Sequence, residues 1–181
     1  MSIAPIDAAT ATPQQAAALG DVKKALGSVP NMVQVMANSP AVVKAWLAAS
    51  AALGEGALPV AVRERLALAT AEHNECGYCL SAHTFVASNV AKVDAAEIEL
   101  ARRKTSADPH VAALLELSDA MARNRGVVSD ADLQKARAAG VTEEEIVEVV
   151  GNLAVNILTN YFNRLADTES EFPAVGALQH V

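Results

Sequence analysis

Helix-start signals recur along this 181-residue chain and leave little room for any other kind of structure. Thr12-Pro13-Gln14-Gln15 is a capping box with proline at the first helical position. Ser39-Pro40 and Asp108-Pro109 repeat the cap-plus-proline start, and Asp94 with Glu97, Ser129, and Thr142 with Glu145 supply further N-caps. Gly27, Gly54, Gly126 and Gly140 stand where the preceding helices should stop. Between these marks no stretch alternates with the two-residue period of a strand, and no Asn-Gly or Asp-Gly hairpin turn occurs. The fold class is therefore all-α, with eight or nine helices.

The spacing predicts helices over about 12–26, 40–54, 59–73, 75–90, 94–103, 109–124 and 129–140. A long helix should run from Thr142 through Ile157 and Tyr161 to a point before Phe172-Pro173, and a short apolar segment, 31–37, follows Pro30. Residues 1–11 read as a flexible N-terminal arm, 12–173 as a single helical domain and 174–181 as a tail. Pro40 to Pro59 and Pro109 to Ser129 each hold a helix, a glycine break and a new helix start, which hints at a weak internal repeat.

Such helices need a core, and 52% hydrophobic residues with only 3% aromatics mean one built from Ala, Val, Leu and Ile. Alanine costs little entropy in a helix and lets helices approach closely. A net charge of −7, with no basic cluster larger than Arg102-Arg103-Lys104, argues against nucleic acid and anionic membrane surfaces as partners. No basic segment followed by an apolar one opens the chain, and no apolar run reaches membrane-spanning length, so a soluble, cytoplasmic protein is expected.

Chemistry concentrates in Glu64–His83, ERLALATAEHNECGYCLSAH, which holds the chain's two cysteines. On one helix Cys76, Cys79 and His83 fall at i, i+3 and i+7, a single face. With a turn near Asn74, Glu64 comes level with His83 on the preceding helix. A thiol pair, an imidazole and a carboxylate in one place form a redox pattern, and in a reducing compartment C-x-x-C is more often catalytic or metal-binding than a structural cross-link. Which cysteine reacts stays open at this point. Cys76 lies nearer the helix start, which favours its thiolate, whereas Cys79 stands at i−4 from His83, a base that could deprotonate it.

Plainer readings compete. A disulfide across three residues would constrain the unfolded chain very little. Two chance core cysteines would leave His83 unexplained. A zinc site could draw on Cys76, Cys79 and His83 with Glu64 or His73 as the fourth ligand, although three ligands would then come from one helix. Glu64 could instead be a solvated partner of Arg63 or Arg65, and His73 or Glu72 at the turn could serve Cys76. His110 reads as a first-turn residue, His180 as a tail residue, and Tyr78 and Trp46 as packing. The stripe Asn152, Asn156, Asn160 and Asn163, with Tyr161, reads as an ordinary polar seam, with hydrogen bonds across a helix interface or between subunits as the other reading.

The arrangement E-x11-C-x2-C-x3-H, realised by Glu64, Cys76, Cys79 and His83, resembles the alkyl hydroperoxidase D (AhpD-like) branch of the carboxymuconolactone decarboxylase superfamily. The resemblance runs from PNMVQVMANSP (30–40) to NYFNRLADTESEFP (160–173), and the last piece resembles the peroxidase-related subgroup. It implies an AhpD-like helical fold, a homo-oligomer, and a thiol peroxidase acting on organic hydroperoxides or hydrogen peroxide. It implies Cys79 as the attacking cysteine, Cys76 as the resolving one, and His83 with Glu64 as a proton relay bridged by water. No bound cofactor or metal is expected, only an external dithiol donor of dihydrolipoyl or thioredoxin type. Some relatives carry histidine where this chain has Tyr78, so an added proton donor there is not expected. A thiol–disulfide oxidoreductase without peroxidase specificity is the main alternative, and a helical zinc or binding module a further one. A lactone decarboxylase would have no use for the thiol pair.

Overall fold

The computed structural model describes residues 3–178, which form nine α-helices and no strand. In chain order these are α1 Pro13–Leu26, α2 Asn31–Met36, α3 Pro40–Gly54, α4 Val60–His73 and α5 Gly77–Asn89, followed by α6 Ala95–Arg102, α7 Pro109–Arg123, α8 Asp130–Ala138 and α9 Glu143–Ala166. The capping boxes at Thr12 and Thr142 are both formed, with the Thr side chain accepting from N3 and the N3 side chain from the cap. Gly27 closes α1 in the left-handed region at φ 79°, which costs glycine least. Ser39 departs from its expected role, because its side chain makes no capping bond and Pro40 alone sets the start of α3. Pro59 likewise stands before α4 rather than inside it. The apolar segment after Pro30 is helical, α2, with four of its six residues buried.

The centre of the molecule is α4, which packs on α5, α6, α7 and α9. A single buried stripe through Val62, Leu66 and Ala69 is expected from the sequence, yet every residue from Leu66 to Glu72 is buried. With neighbours on all sides, an alanine-rich helix loses its exposed face, and its small side chains let those neighbours come near. One core joins Leu58, Val62 and Leu66 to Leu114, Leu115, Val149 and Leu153. A second joins Val22, Val33, Met36 and Val43 to Ala71, Leu80 and both cysteines. The thiol pair is thus set inside the packed body.

Helix α9 grips α4 at both ends. Its Glu148 carboxylate accepts from the backbone N–H groups of Ala57 (2.7 Å) and Leu58 (2.9 Å), just ahead of α4. A Cβ at Gly56 would run into that carboxylate, so a larger residue there would push Glu148 away from these bonds. At the other end the Asn74 side chain donates to Asn160 Oδ1 (3.0 Å), and the Asn74 carbonyl accepts from Arg164. Glu75, at φ 51°, then turns the chain into α5.

The flanking segments touch the body. The Ile6 N–H donates to the Gln34 carbonyl and Asn38 Nδ2 to the Ala4 carbonyl. Beyond α9, Phe172 packs edge-on against Tyr78, Val175 N–H donates to Ser81 Oγ, and Leu178 N–H donates to Glu72. His180 lies outside the described residues. No helix among the described residues is long and apolar enough to cross a membrane.

His110 ties three helices together. Its Nε2 faces Glu145 Oε1 at 2.8 Å and its Nδ1 faces the Ala139 carbonyl at 3.2 Å, so both nitrogens meet acceptors and the imidazolium fits best. The bond to Glu145 raises the His110 pKa above 6.5 against the opposing effect of partial burial. A raised folded-state pKa contributes stability that is complete below the unfolded value and lost as pH rises through the folded one. Urea midpoints should therefore fall as pH is taken upward from about 6, and His110→Gln should remove that part of the slope; equal slopes in the two proteins would refute the assignment.

Candidate active site

Cys76 is the N-cap of α5 rather than a member of its face. Its sulfur accepts from the Cys79 backbone N–H at 3.3 Å, and the helix begins at Gly77. Cys79 occupies the third helical position, so the positive end of the α5 dipole acts on both sulfurs. The two cysteines are joined as a disulfide with Cα atoms 5.3 Å apart, within the ordinary range. Both are buried, at 1% and 2% exposure.

One turn along α5, His83 meets Glu64 directly, with Nδ1 2.8 Å from Oε2. The water expected between them is not needed. The reading of Glu64 as a solvated partner of Arg63 or Arg65 is also corrected. Arg65 is bonded instead to Glu97 (2.8 Å) and Ser106, and Arg63 has no acceptor for its buried Nε. Glu72 does not serve Cys76, since its 3% exposed carboxylate pairs with Arg102 at 2.9 Å.

Cys79, His83 and Glu64 share the wall of one cavity of about 280 Å³ between α3, α4, α5 and α9. Its size is at the lower end of ordinary ligand pockets, about 300–1,000 Å³. Trp46, expected to be core alone, both packs on the core and lines this cavity. Tyr78 lines it too, with its hydroxyl donating to Glu171 (3.2 Å) and accepting from the Met32 N–H (3.4 Å). Burial, chiefly, holds that phenol far above its usual range. His73 is not among the lining residues.

The asparagine stripe is where sequence reasoning fell short. Asn152, Asn156 and Asn163 line the cavity, and Asn163 Nδ2 reaches Cys79 Sγ at 3.4 Å. Asn163 Oδ1 is buried without a partner, so the amide is held by its position on α9 rather than by a network. An N–H aimed at sulfur stabilises negative charge there. The available signal was the run of asparagines on an otherwise apolar face.

Among the described residues no group of three or more His, Cys, Asp or Glu side chains is arranged to hold a metal ion.

Residues 40–123 match the carboxymuconolactone decarboxylase family. The likeness to that family rests on this stretch, a little under half of the chain. The matched stretch spans α3 to α7 and contains Glu64, Cys76, Cys79 and His83. No curated protein sequence matches the chain. Among solved structures it is similar to the AhpD core of a peroxidase-related protein from Ralstonia eutropha JMP134, with TM-score 0.81, 22% identity, and 94% of this chain and 92% of that one covered. A peroxidase-related protein from Silicibacter sp. TM1040 gives TM-score 0.75 and 23% identity over 88% and 87% of the two chains. A cysteine-to-alanine variant of the debrominase Bmp8, in complex with 2,3,4-tribromopyrrole, gives TM-score 0.77 and 18% identity over 93% and 91%. At these identities the likenesses establish the AhpD-like fold.

Proposed function

We propose that the protein is a thiol peroxidase that reduces small organic hydroperoxides at Cys79. The observation that carries this reading is the shared cavity, where a sulfur of a vicinal pair and a His83–Glu64 couple face the same small, mainly apolar space.

With Nδ1 of His83 engaged by Glu64, Nε2 is the nitrogen free to take the Cys79 proton. The thiolate attacks one peroxide oxygen, a sulfur–oxygen bond forms and the O–O bond breaks. Cys79 becomes a sulfenic acid, and the departing alkoxide takes the proton back from His83 and leaves as an alcohol. The Cys76 thiol then attacks the Cys79 sulfur. A disulfide forms and water leaves. An external dithiol restores both thiols and is itself oxidised to a disulfide.

Burial of both sulfurs favours peroxidase chemistry over a general protein thiol–disulfide oxidoreductase, because a folded protein's disulfide cannot reach them. The same burial favours a slender dithiol of the dihydrolipoyl type as electron donor over a thioredoxin-like one. Purified protein should consume cumene hydroperoxide with dihydrolipoamide, and more slowly with a thioredoxin system at equal dithiol concentration. Consumption no faster than by the Cys76→Ser/Cys79→Ser double variant would end the peroxidase reading; a faster rate with thioredoxin would end the donor assignment.

A further inference from the structure

Arg63 is unexplained by the reaction above. Among the described residues it is the cavity's one permanent cation, and its buried Nε has no hydrogen-bond partner there. Among the described residues no carboxylate pairs with it. Glu64, the single acidic residue in the cavity wall among the described residues, is committed to His83, and Arg65, the basic residue on its other side in sequence, is already satisfied by Glu97 and Ser106. Leaving a buried guanidinium N–H without an acceptor is costly, and native proteins rarely tolerate it without a purpose. The guanidinium lies beside Gly54 at the end of α3, where a Cβ would stand 3.3 Å from Nη1, so the close fit of glycine leaves the Arg63 head its place.

We infer that Arg63 is an anion anchor, and that the cavity takes a substrate carrying a carboxylate or similar oxyanion at one end and its reacting group at the other. Arg63 and Glu64 are successive residues of α4, so the helix turns them about 100° apart, and both still line the cavity, Glu64 in contact with His83. A planar guanidinium is suited to a two-oxygen anion, which it can bind through paired N–H groups. The rest of the wall is mainly aliphatic and aromatic, with Leu53, Trp46 and Val155 available for an apolar middle. The assignment to a hydroperoxide substrate rests on the peroxidase reading, whereas the anion preference of the cavity does not.

Binding to the oxidised, disulfide form separates the two, because no turnover is involved. Trp46 is the only tryptophan and lines the cavity, so its fluorescence reports occupancy, with calorimetry as an independent check. Benzoate should bind about 10- to 100-fold more tightly than its neutral isostere benzamide. Arg63→Gln should bring benzoate down to the benzamide level while leaving benzamide unchanged, and Arg63→Lys should keep part of the preference. Equal affinity for the two probes in the wild-type protein overturns the inference whether or not the variants fold, as does a full preference retained in Arg63→Gln. A protein that reduces peroxides yet shows no benzoate preference refutes the anchor alone; one that prefers benzoate yet reduces no peroxide refutes the reaction alone.

Discussion

Cys79→Ser protein should reduce no hydroperoxide, whereas Cys76→Ser protein should turn over once and stop with a sulfenic acid on Cys79. The asymmetry follows from position. Cys79 lines the cavity and receives the Asn163 N–H, while Cys76 is not among the lining residues and caps α5 with its sulfur turned to the Cys79 backbone N–H. A peroxide entering the cavity therefore meets Cys79. The loss in steady-state rate should be complete for Cys79→Ser, since a hydroxyl with no comparable acidity replaces the thiol that lines the cavity. A dimedone-type probe with mass spectrometry checks the second half. Labelling of Cys76 in the Cys79→Ser variant, after one equivalent of peroxide, would reverse the two roles.

The second large effect belongs to Glu64. Glutamine keeps the size of the side chain and an oxygen able to accept from His83 Nδ1, so Glu64→Gln removes the charge and leaves the contact. If the couple moves the Cys79 proton, peroxide reduction near neutral pH should fall by about 10²- to 10⁴-fold, the usual contribution of a positioned acid–base group. The deficit should shrink as pH rises and hydroxide takes over the deprotonation. A merely structural role for Glu64 would not produce that convergence. An unchanged rate, or a deficit constant with pH, would remove Glu64 from the relay.

The fold was largely legible because its punctuation is local. A cap at Thr12 or Thr142 is decided within four residues, by hydroxyl and carboxamide or carboxylate groups that meet backbone N–H groups whatever the rest of the chain does. The same holds for the Glu64 and His83 couple, which lies across one helical hairpin and is fixed by rise per residue. What stayed hidden is what depends on distant partners. Asn163 and Cys79 are 84 residues apart, and nothing near Asn163 says that a sulfur waits opposite. The complete burial of α4 from Leu66 to Glu72 depends on four helices arriving around it, so a stripe was all that its own sequence could announce. Arg63 and Arg65 are indistinguishable as letters; only Glu97 and Ser106, brought in by later segments, satisfy one and leave the other open.

The grip of α9 on both ends of α4 makes the last helix a gauge. Glu148 and Asn160 are 12 positions apart on a single uninterrupted rod, and between their two anchor points hangs the helix that carries Glu64. Substitutions on the outer side of that rod leave the spacing alone. Adding or deleting one residue between positions 148 and 160 would shift everything beyond by about 1.5 Å and turn it by about 100°, swinging Asn163 off Cys79. Side-chain drift on this helix is therefore tolerable in a way that a change in its length is not.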